Sequence, residues 1–88
     1  MHSVDRVSAL EKLVAQYEKS RMDFAAIQEE LRTLPASPKL DDMLAANAET
    51  LASVERMLAM TRERLHRERL IRAANAAMAN GHREAFAS

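Results

Sequence analysis

Glu63 and His66 are the residues whose types and spacing most suggest a chemical site. Three apart on a helix, they share a face in the E-x-x-H pattern. Di-iron bundles hold metal with two such motifs plus further inward carboxylates. Here there is one motif, Arg62 lies one turn from His66, and no partner carboxylate is evident upstream. The other histidines, His2 and His82, lie near the two ends. Solvated histidines are the stronger reading, and no metal or cofactor is expected.

Catalytic constellations of other kinds are missing. The sequence has no cysteine, no Gly-rich phosphate loop and no nucleophile beside an orienting histidine. Nothing specifies a reaction, and the chain is read as non-enzymatic.

Arginines gather late, at Arg62, Arg64, Arg67, Arg69 and Arg72, and such a row could follow a phosphate backbone. Glu63 and Glu68 interrupt it, Glu68 sits four before Arg72, and no aromatic interleaves. The whole chain has 13 basic and 13 acidic residues, so it lacks the basic excess of a nucleic-acid domain. A solvated helix face with local ion pairs is favoured over nucleic-acid contact.

Methionine is frequent, at Met22, Met43, Met57, Met60 and Met78 among others. Methionines either line an adaptable partner groove or fill gaps in a small core. Met57 and Met60 lie on different sides of any single seam, so both cannot point at one neighbouring helix.

The elements that position these residues follow from composition. With one Gly, two Pro and 3% aromatics, the chain lacks what sheets and their turns require. It is expected to be all-α. Pro35-Ala36-Ser37-Pro38 is the internal breaker, ending helix 1 near Leu34. Ser37 reads as the N-cap of helix 2, with Pro38 first and Asp41 and Asp42 close behind. Helix 1 starts either at a Ser8–Glu11 capping box or earlier, with Val4 and Val7 already inside it. Asn80-Gly81 reads as the C-terminal stop of helix 2. The expected organisation is one domain over 1–81, with helix 1 at about 8–34, a turn at 35–37, helix 2 at about 38–80, and 82–88 as a flexible tail.

Two seams are legible. On helix 1 a 3-4 stripe runs Leu10, Leu13, Tyr17, Ser20, Phe24, Ile27, Leu31, Leu34. On helix 2 it runs Leu40, Leu44, Asn47, Leu51, Val54, Leu58, Thr61, Leu65. The short connection makes the helices antiparallel neighbours, a coiled-coil-like hairpin with a longer second helix. At 1.5 Å per residue helix 1 is about 40 Å long and helix 2 about 65 Å. Helix 1 therefore covers helix 2 as far as about Leu65, with Ser20 roughly level with Ala52. Past Leu65 the apolar residues change phase, at Leu70, Ile71, Ala74, Ala77 and Met78, and form an overhang that a lone hairpin leaves in water. One facing helix cannot fully bury a stripe, so self-association or a bound partner is expected on physical grounds.

Leu10-Glu11-Lys12-Leu13 opening a helix, Gln28-Glu29-Glu30-Leu31 closing it, a short Pro-containing turn, and Leu51-Ala52-Ser53-Val54-Glu55 in the second helix carry a family resemblance. Over roughly residues 8–65 the chain resembles the small helical-hairpin co-chaperones of type III secretion needle subunits. The Arg- and Ala-rich extension after Leu65 is longer than the family's usual end. The resemblance implies a bacterial cytoplasmic protein that binds a helical-repeat chaperone and helps keep an aggregation-prone needle subunit soluble before export.

The sequence is thus read as a protein–protein interaction module, with Leu65, Leu70, Ile71, Ala74, Met78, Met57 and Met60 as partner-binding residues. The alternative is a structural protein that self-associates into a four-helix bundle of two hairpins. A small helical enzyme or nucleic-acid binder is the third reading. No signal-like apolar run opens the chain, and no window approaches the roughly 20 apolar residues of a membrane span. A cytoplasmic protein with no membrane partner is expected.

Overall fold

The computed structural model describes the backbone of residues 5–87 and the side chains of residues 5–80. His2 and Val4 lie outside them, as does the side chain of His82. The described residues form two helices and no strand: α1 spans Arg6–Arg32 and α2 spans Pro38–Ala87. The longer second helix sets the overall dimensions, 76 × 25 × 15 Å.

Helix α1 starts earlier than the Ser8 capping box. Asp5 is the N-cap, in extended backbone conformation, and its Oδ1 accepts from the Val7 N–H at 3.1 Å. The Ala9 N–H bonds the Asp5 carbonyl at 2.9 Å, closing the first turn. A carboxylate is a strong cap because it also meets the positive end of the helix dipole. The earlier start brings Val7 into the core, which a start at Ser8 would forgo.

The other end of α1 comes sooner than Leu34. The Thr33 hydroxyl donates to the Glu30 carbonyl at 2.6 Å, and the Thr33 N–H reaches the same oxygen at 3.1 Å. Pro35 disfavours helical conformation at Leu34, so the last turn is finished by Thr33 and Leu34 is left half exposed. The connection is consequently Thr33 to Ser37, longer than 35–37. Ser37 caps α2 as its type predicts: its Oγ accepts from the Leu40 N–H at 3.0 Å and its carbonyl from the Asp41 N–H at 3.0 Å.

Helix α2 does not stop at Asn80-Gly81 but runs through both to Ala87. A glycine C-cap needs a left-handed residue, and among the described residues none has positive φ. Within a helix Gly81 costs about 1 kcal/mol relative to alanine, a penalty that weakens the turn without breaking it. Residues 82–87, read from the sequence as a tail, are thus helical in backbone.

Between the helices lies one seam. All eight expected α2 positions, Leu40 to Leu65, are buried or half-buried, with Leu58 the deepest at 2% exposure. The α1 stripe is only partly as expected. Leu10, Leu13, Tyr17, Ser20, Phe24 and Leu31 are buried or half-buried, but Ile27 is 41% exposed and Leu34 is outside the helix. Val7 is buried as well, Val14 and Arg21 share the half-buried margin with Leu13 and Ser20, and Gln28 takes the place expected of Ile27. The reason is visible at Asn47. Its Nδ2 donates to Gln28 Oε1 at 2.7 Å and to the Phe24 carbonyl at 3.0 Å, drawing Gln28 rather than Ile27 toward the seam. The buried Thr61 hydroxyl donates back to the Met57 carbonyl at 2.7 Å. Among the described residues no buried side-chain N or O lacks a hydrogen-bond partner.

The Gln28–Asn47 pair also fixes the antiparallel register. Counting outward from it, Ser20 is level with Glu55 rather than Ala52, and Leu10 with Leu65. The longer turn and the earlier α1 start together carry helix 1 past Leu65. Arg6 reaches Glu68 at 3.8 Å and Asp5 reaches Arg72 at 2.6 Å. The overhang of α2 begins about two turns later than the lengths alone suggest.

Candidate interaction surface

The two flanks of the seam differ in chemistry. Along one, Glu18 pairs with Arg62 at 2.7 Å and Glu11 with Arg69 at 3.6 Å. At the open end Asp5 and Arg6 bind Arg72 and Glu68. The late arginines are therefore largely committed to the hairpin. Glu68 and Arg72, four apart, do not pair with each other. Each crosses to α1 instead, and Arg67–Glu63 at 3.0 Å is the local pair. These charges are about half exposed, so each pair contributes little individually. Their sum of positions favours one register over its neighbours.

Asp5 combines two roles. It caps α1 and accepts a hydrogen bond from Arg72 Nη2. The Arg72 hydrogen bond, helped by the Ser8 and Val7 N–H groups and the Arg72 charge, holds its carboxyl below the usual aspartate range. With Arg6, Val7, Glu68, Ile71 and Asn75 these two residues line an open depression at the free end.

The opposite flank is apolar. On α2 every seventh residue from Met43 runs Met43, Thr50, Met57, Arg64, Ile71, Met78, a spacing that keeps one side of a coiled-coil helix. Its four large apolar members are all exposed, Met78 most at 74%. On α1 the facing positions are Leu13, half-buried, and Ile27, exposed, with Leu34 beyond the helix end. Five of the nine exposed large hydrophobic residues among the described side chains, Ile27, Met43, Met57, Ile71 and Met78, lie on this flank by their helical spacing, and none lies among the Glu–Arg pairs of the charged one. Clustered apolar exposure of this kind marks an interaction surface, whereas scattered exposure does not.

The sequence-predicted binding residues divide accordingly. Met57, Ile71 and Met78 belong to the apolar flank, and Met60 and Ala74 border it. Met57 and Met60 are both exposed, so neither is buried against helix 1. Leu70 is exposed on the far side of α2, turned about 100° from Ile71. Leu65 is 6% exposed in the seam and is spent on α1, so it offers no surface to a partner. Met43, offered from the sequence as one of the groove-lining methionines, and Ile27, assigned there to the seam, complete the flank. The heptad recurrence of Met43, Met57, Ile71 and Met78 was the available signal.

The remaining candidates do not converge. His66 is exposed and Glu63 is held by Arg67. Among the described residues no three His, Asp or Glu side chains gather where a metal ion could sit. No helix of the described residues is long and apolar enough to cross a membrane. Comparison of the chain with protein-family models, with curated proteins and with solved structures finds no match.

Proposed function

We propose that the chain is a non-enzymatic helical protein-interaction module, and that it serves as a co-chaperone of type III secretion, helping to keep a needle subunit soluble before export. The observation that supports the first part is the one-sided apolar flank, Met43, Met57, Ile71 and Met78 with Ile27, on a hairpin whose other flank is closed by ion pairs. An exposed methionine row suits a helical partner, because the flexible thioether adapts to the opposing side chains. The second part rests on the residue resemblance at 10–13, 28–31 and 51–55. Its partners would be a helical-repeat chaperone and the needle subunit, in the cytoplasm.

A second reading, a structural protein that only self-associates, draws on the same flank being apolar on both helices. Affinity purification from the native source separates the two. Recovery of a helical-repeat chaperone together with a small polymerising subunit supports the co-chaperone; recovery of this chain alone overturns it.

A further inference from the structure

We infer that the apolar flank is covered by a second copy of this chain, docked antiparallel about a two-fold axis level with Met57. The inference rests on reading the chain as an interaction module and adds the identity of one partner and the geometry of its docking.

A two-fold interface must be self-complementary, because each patch meets its own copy. The flank meets this condition in one orientation. Its basic border groups, Arg6, Arg64 and Arg67, stand toward the open end, and its acidic ones, Asp23 and Glu30, toward the turn. Among the described residues Arg64, Asp23 and Glu30 take part in no ion pair within the chain. In the register fixed by Gln28 and Asn47, an antiparallel two-fold at Met57 lays Arg6, which within the chain reaches Glu68 at 3.8 Å, over Glu30 of the second copy, and lays Arg64 over Thr50 and Asp23 over Leu13, where neither meets a like charge. The same operation lays Met43 over the Ile71–Ala74 turn and Met57 over itself. Lys39, nearest the turn, falls opposite the uncharged stretch 73–80. A parallel two-fold would instead stack the arginines of both copies at one end, where like charges repel. The product is a four-helix arrangement in which Met43, Met57 and Ile71 become interior, and it supplies burial that a two-helix hairpin lacks.

The chain has no cysteine, so single cysteines report the geometry directly. In sedimentation equilibrium the purified full chain is expected at about twice its 9.9 kDa mass. Under mild oxidation Met57→Cys should cross-link to itself. Met43→Cys should link to Ile71→Cys in a mixture faster than to itself, and Leu70→Cys, on the far side, should link slowest. These positions are exposed, so the substitutions leave the seam intact, and Met57→Glu with Ile71→Glu should shift the mass to the monomer while helicity at 222 nm is kept. A chain that stays monomeric at every concentration overturns the inference, as does faster self-linking of Met43→Cys, which would mean a parallel pair. A monomer that still captures the secretion chaperone defeats the dimer and leaves the proposed function standing. A cross-linked dimer that captures nothing supports the dimer and counts against the co-chaperone.

Discussion

Asn47 and Gln28 are hydrogen-bonded across the hairpin, Nδ2 to Oε1 at 2.7 Å, midway between buried Leu31 and half-buried Phe24 on the facing helix. A polar pair within an apolar seam specifies register more than it adds stability. Sliding the helices by one heptad would set Asn47 opposite Arg21 or Pro35, neither of which can offer the acceptor that Gln28 does.

Truncating either member should therefore show coupling. Asn47→Ala is expected to cost about 1 kcal/mol, and the cycle with Gln28→Ala to give an interaction energy of roughly 0.5–1.5 kcal/mol. Urea denaturation of the two single variants and the double variant measures it. Strict additivity would mean that the pair does not set the register.

Core truncations should rank by depth rather than by stripe membership. Leu58→Ala removes the most buried side chain and Leu31→Ala one at 9% exposure, and each should cost about 2–4 kcal/mol. Ile27→Ala, at 41% exposure, should cost less than about 1 kcal/mol. Thermal melts of the three variants check the order, and an Ile27 effect equal to that of Leu58 would contradict the seam described above.

That ranking also shows where the sequence was legible. The helical class, the break before Pro38, the Ser37 cap and the entire α2 stripe follow from residue types whose physics is local or strongly periodic. Helix 1 was ambiguous because Leu10, Tyr17, Phe24 and Leu31 belong equally to two stripes, one completed by Leu13, Ser20 and Ile27, the other by Val14, Arg21 and Gln28. Leu13 and Val14, and likewise Ser20 and Arg21, are all half-buried; only at the next place is there a choice, where hydrophobicity favours Ile27 and the hydrogen-bonding demand of Asn47, a residue 19 positions away, decides for Gln28. The arginine pairs were hidden for the same reason. Glu11 and Glu18 find Arg69 and Arg62 only once the register is known, and spacing within one helix suggests other partners.

Acid should weaken the Asp5 cap and its Arg72 contact at low pH. Asp5 titrates below its ordinary range when folded, so its contribution is fully present above the unfolded-state pKa and is lost as pH falls through the lower folded value. Asp5→Asn keeps a capping oxygen but cannot ionise. Unfolding stability, read by urea denaturation at successive pH values from neutral downward, should fall by more for the parent chain than for Asp5→Asn. The variant should be less stable at neutral pH, with the gap closing in acid. Parallel acid curves would remove Asp5–Arg72 as the source.

The last expectation separates the part of α2 that supports α1 from the part that does not. Removal of everything after Asn75 leaves every cross-helix contact named above in place, including Asp5–Arg72, so the thermal midpoint of the monomeric hairpin should stay within a degree or two. Removal after Leu65 deletes Glu68, Arg69 and Arg72, the partners of Arg6, Glu11 and Asp5. It also uncovers Val7, which lies among them in the wall of the open-end depression. The first two turns of α1 then have neither an apolar roof nor a charge partner, and short unsupported helical segments are marginal in water. The shorter form should lose more helicity than the deleted residues account for and melt several degrees lower. Its backbone amides over 7–13 should exchange faster, while those over 24–31 stay protected by the turn-proximal seam. Equal protection of 7–13 in both forms would mean that α1 is held from the turn end alone, and that the arginine row of α2 contributes nothing to it.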